Sequence, residues 1–487
     1  MHHPRDAQLQ VFNRLKKILR GSELSIRSGF ELCSTLEEFR HIPSSTCESL
    51  HPYLRRAFER GASESRIFGR TDITGFARTS GSLGEPKDIP MNKDYLKSLD
   101  RTLVRMVASH LYNTGEWETM FKGRRVLLGS RPLVGSSPTG LPISDISGLI
   151  PTRTWKTLRR LFIPKYDDLW IQEWSKKVEL ILEQAHGKNV VSISGIPALA
   201  LDFAKRAQMK YGVANLNELW PNFCQYYYGG VHLSAEQKQE MQRSWFDPAK
   251  KSSFVEAYFA TEAPLAFSYH PHEEGLALNS LENLYLFRRC TEEPANSSLM
   301  LAHELEANQS YFIYVTTPGG LINYQMGDRI EVLTTNPLRI LVSGREKEEI
   351  SMTGEKITVA QLDLSLSAVG FDLKKFSPHL PIVWIDYGDK PHLVWGIPHL
   401  ANSPLVKELG NRLDQALSGL NILYAEALLQ ENVIGESRIV PIPITVFEKY
   451  EKSRLGVAQF KQRRVFNSVA ELIAVLDWIP SEQKVVD

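Results

Sequence analysis

The spacing of apolar side chains predicts that the chain begins with helices. Leu9, Phe12, Leu15 and Leu19 recur every three or four residues, which places them on one face of a helix over residues 7–20. A polar stretch follows before the next apolar segment. We therefore expect an N-terminal helical region.

From about residue 186 the pattern changes to alternating strands and helices. A β-branched run at residues 190–193 predicts a strand, Gly195-Ile196-Pro197 interrupts it, and residues 198–210 have helical spacing. Such alternation is typical of a large α/β domain. Further apolar runs predict strands at residues 223–228, 254–259, 311–316, 329–334 and 339–342.

A charged cluster at residues 345–349 marks a predicted domain boundary. Beyond it, two apolar runs flank residues 387–390 and predict a β-hairpin, and leucines recur along one face of a helix over residues 405–420. We predict a large domain over residues 1–343 and a small α+β domain over residues 344–487.

Composition excludes several classes of function. The chain of 487 residues is 43% hydrophobic and 23% charged, which is typical of a globular protein with more than one buried core. Its 57 basic and 56 acidic residues nearly cancel, so no overall field attracts nucleic acid or an anionic membrane. We expect small-molecule partners and a monomer.

The sequence shows no targeting segment, membrane span or cysteine motif that would point to a particular function. The first residues contain no apolar core before a cleavage site, and no window holds about eighteen uncharged apolar residues in a row. The four cysteines lie far apart without a CxxC pair, which argues against a zinc site or a dense disulfide framework. We expect a cytoplasmic protein.

The most informative segment is Thr79-Ser80-Gly81-Ser82-Leu83-Gly84-Glu85-Pro86-Lys87. Its glycines let the backbone approach an anion, its hydroxyls and amides can donate to phosphate oxygens, and its lysine neutralises charge. It differs from the P-loop of kinases and GTPases, which has a lysine directly after its last glycine. Taken alone, such a segment is more often a flexible loop, so a functional interpretation needs further motifs.

Four further segments agree with the first, in order: Gly229-Gly230-Val231, Tyr258-Phe259-Ala260-Thr261-Glu262, Tyr324-Gln325-Met326-Gly327-Asp328 and Gly344-Arg345-Glu346-Lys347. The five together resemble the phosphate loop, adenine turn, aromatic-x-x-Thr-Glu motif, Gly-Asp ribose motif and hinge of the adenylate-forming enzymes. That superfamily includes acyl-CoA synthetases, luciferases and nonribosomal adenylation domains. The shared order makes the resemblance specific.

A second set of segments spans nearly the whole chain: Glu38-Phe39-Arg40, Ile42-Pro43, Tyr53-Leu54-Arg55-Arg56, Ser192-Ile193-Ser194-Gly195-Ile196-Pro197, Leu219-Trp220-Pro221-Asn222, Thr353-Gly354-Glu355-Lys356, Leu413-Asp414-Gln415-Ala416-Leu417 and Gln459-Phe460-Lys461. Within the superfamily these resemble the Gretchen Hagen acyl-acid amido synthetases. That group joins auxin and jasmonate to amino acids and has shorter bacterial relatives.

The resemblance implies roles for individual residues in binding ATP and Mg²⁺ and in catalysis. It implies that the phosphates are held by Thr79, Ser80, Gly81, Ser82, Gly84 and Lys87. The adenine is expected beside Gly229, Gly230, Tyr258 and Ala260. The resemblance further implies that Thr261 donates to the α-phosphate, that Asp328 and Arg345 bind the ribose, and that Glu262 binds Mg²⁺. It also implies that Lys461 of the small domain is catalytic, together with Glu262 and Lys87. The acyl site is expected beside Pro138-Thr139-Gly140 and residues 144–148.

The implied reaction converts a carboxylic acid to acyl-AMP and transfers the acyl group to an amine, such as an amino acid. Two rivals stay open. One is thioester formation with coenzyme A or a carrier-protein thiol. The other is a non-catalytic protein that binds an acid or a nucleotide. In that case Leu83 and Gln325, which differ from the residues usual at these motif positions, would be substitutions tolerated after catalysis was lost. Considered without the other motifs, Glu262 and Asp328 could each be an ordinary surface carboxylate, and Lys461 could be one member of a solvated basic cluster.

Overall fold

A computed structural model describes the chain except for residues 1–3, 79–86, 116, 118–121, 130, 154–158, 172, 231–232, 234, 251, 271–272, 293–297, 346–348, 351, 353–356, 372–378, 388–389, 399–405, 431–433, 455–462, 467, 479 and 481–487. The described residues form two compact units, one up to Ser343 and one from Gly344 onward. No helix among them is long and apolar enough to cross a membrane.

The large unit begins with the predicted helices. The first buries Val11, Phe12, Leu15 and Leu19, but Leu9, which we placed on its apolar face, is 45% exposed, and Val11 packs there instead. The α-helices described in this unit are α1 (Pro4–Leu19), α2 (Glu23–Ser28), α3 (Leu36–Phe39), α4 (Cys47–Arg60), α5 (Lys93–Thr114), α6 (Ile146–Arg153), α7 (Trp174–Ala185), α8 (Pro197–Tyr211), α9 (Leu216–Leu219) and α10 (Ala235–Trp245).

Strands fill the rest of the large unit. They are β1 (Ile73–Arg78), β2 (Asp88–Asn92), β3 (Arg124–Leu128), β4 (Gly135–Ser136), β5 (Pro142–Ser144), β6 (Phe162–Ile163), β7 (Val190–Gly195), β8 (Gln225–Gly229), β9 (Ser253–Phe259), β10 (Pro264–Phe267), β11 (Leu276–Leu278), β12 (Leu284–Arg289), β13 (Met300–Leu301), β14 (Ser310–Thr316), β15 (Tyr324–Thr335) and β16 (Leu338–Arg345).

A twelve-stranded sheet with the order β13-β12-β14-β15-β16-β11-β10-β9-β8-β7-β3-β6 is the centre of this unit. Strands β9, β8, β7, β3 and β6 pair in parallel, so their carboxyl ends share one edge. Tyr226 and Tyr228 point to a core shared with α7 and α8, whereas Tyr227 packs on the opposite core with α5. Helices on both faces explain the nearly continuous apolar runs of these strands.

A second sheet of the large unit has the order β2-β1-β5-β4. Strands β1 and β2 are antiparallel, with Arg78 opposite Asp88, and β5 runs parallel to β1 with Ser144 opposite Ala77. The glycine- and serine-rich segment therefore joins two paired strands. Helix α5 follows β2 directly, and the Asn92 side chain caps it by accepting from the Tyr95 backbone N–H.

The small unit has its own sheet and core. Its elements are β17 (Glu349–Ile350), β18 (Ile357–Thr358), α11 (Val359–Ala368), β19 (Ile382–Asp386), β20 (His392–Pro398), α12 (Val406–Leu420), α13 (Ile422–Ala425), a π-helical turn (Glu426–Gln430), β21 (Arg438–Ile442), α14 (Ile444–Arg454), β22 (Val465–Phe466) and α15 (Val469–Leu476). The predicted hairpin is confirmed, because β19 and β20 pair antiparallel within the order β21-β20-β19-β22. Leu413 and Leu417 of α12 pack against this sheet in the core.

The predicted α/β class is confirmed by this architecture. Helix α5 was missed, although it is 22 residues long. Its buried positions include Ser98, Thr102 and His110, and these polar side chains conceal the helical spacing of the apolar ones.

Candidate functional site

The predicted phosphate loop connects β1 to β2, and we refer to these two strands with their connection, residues 73–92, as the phosphate hairpin. At its base the guanidinium of Arg78 donates through Nε and Nη2 to the two carboxylate oxygens of Asp88, both at 2.9 Å. This two-point ion pair joins the strands where the loop begins and ends. Thr79, Ser80, Gly81, Ser82 and Gly84 lie outside the described residues. Lys87 is half-buried immediately before β2.

The predicted adenine turn lies at the carboxyl end of β8. Gly229 is paired with Ala257 of β9, and a Cβ atom on Gly229 would lie 2.5 Å from the Ala257 carbonyl oxygen. Only glycine permits this approach. Gly230 follows with φ +84°, a left-handed conformation that favours glycine. The local backbone geometry therefore explains both glycines.

Thr261 and Glu262 occupy the tight turn between β9 and β10. Phe259 pairs with Pro264, and the Ala260 N–H donates to the Ala263 carbonyl at 3.0 Å. Thr261 is buried and Glu262 is half-buried. The turn thus places a threonine and a glutamate at the edge where β8 and β9 end.

Asp328 lies within β15, and the sequence-based boundary here was wrong. We expected a strand from residue 329 with the carboxylate after a turn, but β15 already begins at Tyr324. Residues 326–328 stand opposite Ile313 alone, and Gly327 has φ +70°. This irregularity is a β-bulge, which redirects side chains without ending the strand. It places Asp328 in a buried position, 2% exposed.

Tyr258 connects the two motifs. Its hydroxyl donates to the carboxylate of Asp328. Its half-buried ring and the half-buried side chain of Ala260 pack against the core that contains β15. The described structure therefore brings the aromatic residue of one motif to the carboxylate of the other.

The pKa of the buried Tyr324 depends on the acidic residues around it. Burial, followed by the negative charge of Glu262, raises its pKa, and Glu48 and Asp328 act in the same direction. Glu262 and Asp328 are therefore close enough to influence one side chain. The region therefore combines the buried carboxylate of Asp328 with the half-buried carboxylate of Glu262.

The N-terminal segment that includes Ile42 is attached to this site. The Ser45 N–H donates to the Asn323 carbonyl at 2.9 Å, and the Gln325 N–H donates to the Ser45 carbonyl at 2.8 Å. Asn323 Nδ2 also donates to the Ile42 carbonyl at 3.0 Å. These bonds hold the start of β15, and sequence spacing gave no sign of them.

The donor set can be tested against ATP and Mg²⁺. Among the described residues, no group of three side chains of the His, Cys, Asp or Glu types is arranged to hold a metal ion. Mg²⁺ usually keeps several waters and binds one or two carboxylates together with substrate phosphates. A single half-buried carboxylate, that of Glu262, therefore fits a Mg²⁺ ion that arrives with ATP.

The two predicted acyl-site segments flank β5: Pro138-Thr139-Gly140 precedes this strand, and residues 144–148 begin at its last residue. Residues 137–141 form the turn between β4 and β5, in which Gly140 has φ +79°. Asp145 caps α6 by accepting from the N–H groups of Ser147 and Gly148. Because β5 is parallel to β1, residues 145–148 lie at the same edge as the end of β1, where the predicted phosphate loop begins, whereas the turn of residues 137–141 lies at the opposite edge.

The side chains of two further predicted residues, Arg345 and Lys461, lie outside the described part of the chain. Arg345 is the last residue of β16, and its side chain lies outside the described part of the chain. Lys461 also lies outside it. Their roles stay predictions, as do those of the hairpin loop.

Two family models match the chain: the GH3 family N-terminal domain over residues 1–182 and the GH3 family central domain over residues 281–345. A solved structure titled GH3.15 acyl acid amido synthetase is 13% identical with a TM-score of 0.75, and the match covers 97% of this chain and 93% of that chain. An open conformation of 2-hydroxyisobutyryl-CoA ligase, in complex with 2-HIB-AMP and CoA, is 12% identical with a TM-score of 0.54, covering 94% and 90%. At such identities, the likeness is one of fold. A search of curated proteins finds no match.

Proposed function

The chain belongs to the GH3 family, and on this premise we propose that it is an AMP-forming ligase that activates a carboxylic acid and transfers it to an amine. The single observation that supports this most is the Tyr258–Asp328 hydrogen bond beside the Thr261–Glu262 turn. It joins Tyr258, which we assign to the adenine, to Asp328, which we assign to the ribose, and Glu262, which we assign to the phosphate-bound cation, lies in the turn that follows Tyr258.

In the first step, a carboxylate oxygen attacks the α-phosphorus of ATP, the bond to the β-phosphate oxygen breaks, and pyrophosphate leaves. Lys87 and the hairpin donors would bind the phosphates, and the Thr261 hydroxyl would donate to the α-phosphate. Glu262 would hold Mg²⁺, which supplies charge neutralisation between the phosphates. Asp328 would accept from the ribose hydroxyls and fix the nucleotide for in-line attack.

In the second step, an amine attacks the carbonyl carbon of acyl-AMP, the C–O bond to AMP breaks, and an amide forms. We assign Lys461 to the first step, in which negative charge gathers at the α-phosphate, and not to the second. An amino acid is our preferred acceptor because the sequence motifs resemble the acyl-acid amido synthetases, a group that joins acids to amino acids.

A thioester ligase is the rival, since a protein of similar fold is titled as a CoA ligase. Family membership favours the amide. The fold also permits a non-catalytic protein that binds acid or nucleotide.

An exchange assay tests the proposal. Purified protein with MgATP, labelled pyrophosphate and a panel of aryl, indolic and aliphatic acids should incorporate label into ATP only when a suitable acid is present. No incorporation of label with any acid of the panel would favour the non-catalytic interpretation.

A further inference from the structure

Tyr95, a residue to which no sequence motif pointed, links two parts of the proposed active site. It is the third residue of α5, which begins directly after the strand that leaves the phosphate hairpin. Its hydroxyl donates to the backbone carbonyl of Thr261 at 3.0 Å. We propose that Tyr95 is a positioning residue that fixes the Thr261–Glu262 turn relative to the phosphate hairpin, an inference that rests on the proposed function.

Tyr95 is itself held in place from two sides. Its backbone N–H donates to Asn92 Oδ1 at 2.9 Å, and Asn92 Nδ2 donates to the Gly319 carbonyl at 3.2 Å. A Cβ atom on Gly319 would lie 3.2 Å from Cδ2 of the Tyr95 ring, so the ring packs directly on this backbone. The side chain is 2% exposed. Tyr95 therefore has a fixed position from which to act.

The turn depends on an external donor. Thr261 is 4% exposed, and a buried carbonyl needs a hydrogen-bond partner. The Tyr95 hydroxyl provides one. Burial, followed by the charge of Glu262, raises the pKa of Tyr95, so the hydroxyl stays protonated and continues to donate near neutral pH. Without that donor the turn is free to rotate its carbonyl toward water and to move Glu262.

Calorimetric titration separates positioning from a general structural role. MgATP and adenosine are each titrated into the wild-type protein, Y95F and Y112F. Adenosine has no phosphate for the turn to contact. Tyr112→Phe is the matched control, because Tyr112 lies on the same helix with 83% of its surface exposed. Y95F should raise the Kd for MgATP by about tenfold and leave the Kd for adenosine within about twofold. Y112F should change neither.

A double-mutant cycle with Glu262→Gln gives the second readout. Because Tyr95 acts through the turn, the effect of Y95F on MgATP binding should shrink in the E262Q background. Equal weakening of MgATP and adenosine, or no weakening of either, would overturn the proposal. If Y95F fails to fold, Asn92→Ala takes its place and should raise the Kd for MgATP without raising the Kd for adenosine. An equal effect of Asn92→Ala on both ligands would overturn the proposal too. A wild-type protein that binds no MgATP contradicts the proposed function itself.

Discussion

The hydrogen bond between Tyr258 and Asp328 sets the orientation of a buried carboxylate that we assign to the ribose. Asp328→Ala would remove two charge-assisted hydrogen bonds of roughly 1.5 to 3 kcal/mol each, so the apparent KM for ATP should rise at least about tenfold. The KM for the acid should change much less. Steady-state kinetics with each substrate varied in turn measures both.

Tyr258→Phe is the matched variant, because it keeps the ring and removes only the donor. Its KM for ATP should rise by less than that of Asp328→Ala. An ATP dependence that is unchanged in Asp328→Ala would mean that the bulge at Gly327 has only a structural role.

Motif residues were the easiest to identify from the sequence at this scale. Gly229, Glu262, Gly327 and Asp328 were identified from the resemblance, and the structure explains the two glycines by a close backbone approach at Gly229 and a positive φ at Gly327. Tyr95 and the Arg78–Asp88 pair could not be found in this way. Their partners are set by strand register and by contacts across long sequence separations, which a single sequence does not encode in any short pattern.

Helix α7 carries a buried lysine that should make stability depend on pH. Lys177 Nζ donates to the carbonyls of Gly129 at 2.8 Å and Leu169 at 3.2 Å. Burial lowers its pKa from 10.5 to about 8, partly offset by Asp145. Between these values the unfolded chain binds more protons than the folded one, so the free energy of unfolding should rise with pH. The gain from pH 7.5 to 9.5 should be about 2 kcal/mol.

Urea unfolding at several pH values measures this gain. Lys177→Met removes the titrating group and should abolish the rise, while Lys176→Met, at a neighbouring exposed position, should retain it. A wild-type protein whose stability is flat or falls over this window would contradict the assignment.

Elements with simple periodicity were predicted well, and those with mixed character were not. The strands β7, β9 and β14 are mostly buried and appear in the sequence as runs rich in β-branched and aromatic residues. Helix α5 was missed because serine, threonine and histidine occupy its buried positions, although Asn92 and Gly115 cap its two ends. The bulge in β15 moved a strand boundary by several residues, since only pairing with β14 reveals it.

At the scale of the whole molecule, the prediction concerns Lys461 and whether it serves only the first of the two half-reactions. We predict that Lys461→Ala lowers pyrophosphate exchange by about two to four powers of ten, because the charge near the α-phosphate is no longer neutralised. Aminolysis of chemically supplied acyl-AMP should stay near the wild-type rate, since AMP is already a stable leaving group. Equal loss in both half-reactions would contradict a role confined to the first.

The central claim is that the acid passes through an acyl-adenylate on its way to an amide. Its most direct test uses an acid labelled with ¹⁸O in both carboxylate oxygens, incubated with the protein, MgATP and an amino acid, with products analysed by mass spectrometry. One labelled oxygen bridges to the α-phosphorus in the first step and leaves with AMP in the second. We predict one ¹⁸O in AMP and one in the amide. Amide formation with unlabelled AMP, or label in inorganic phosphate with release of ADP, would contradict the account.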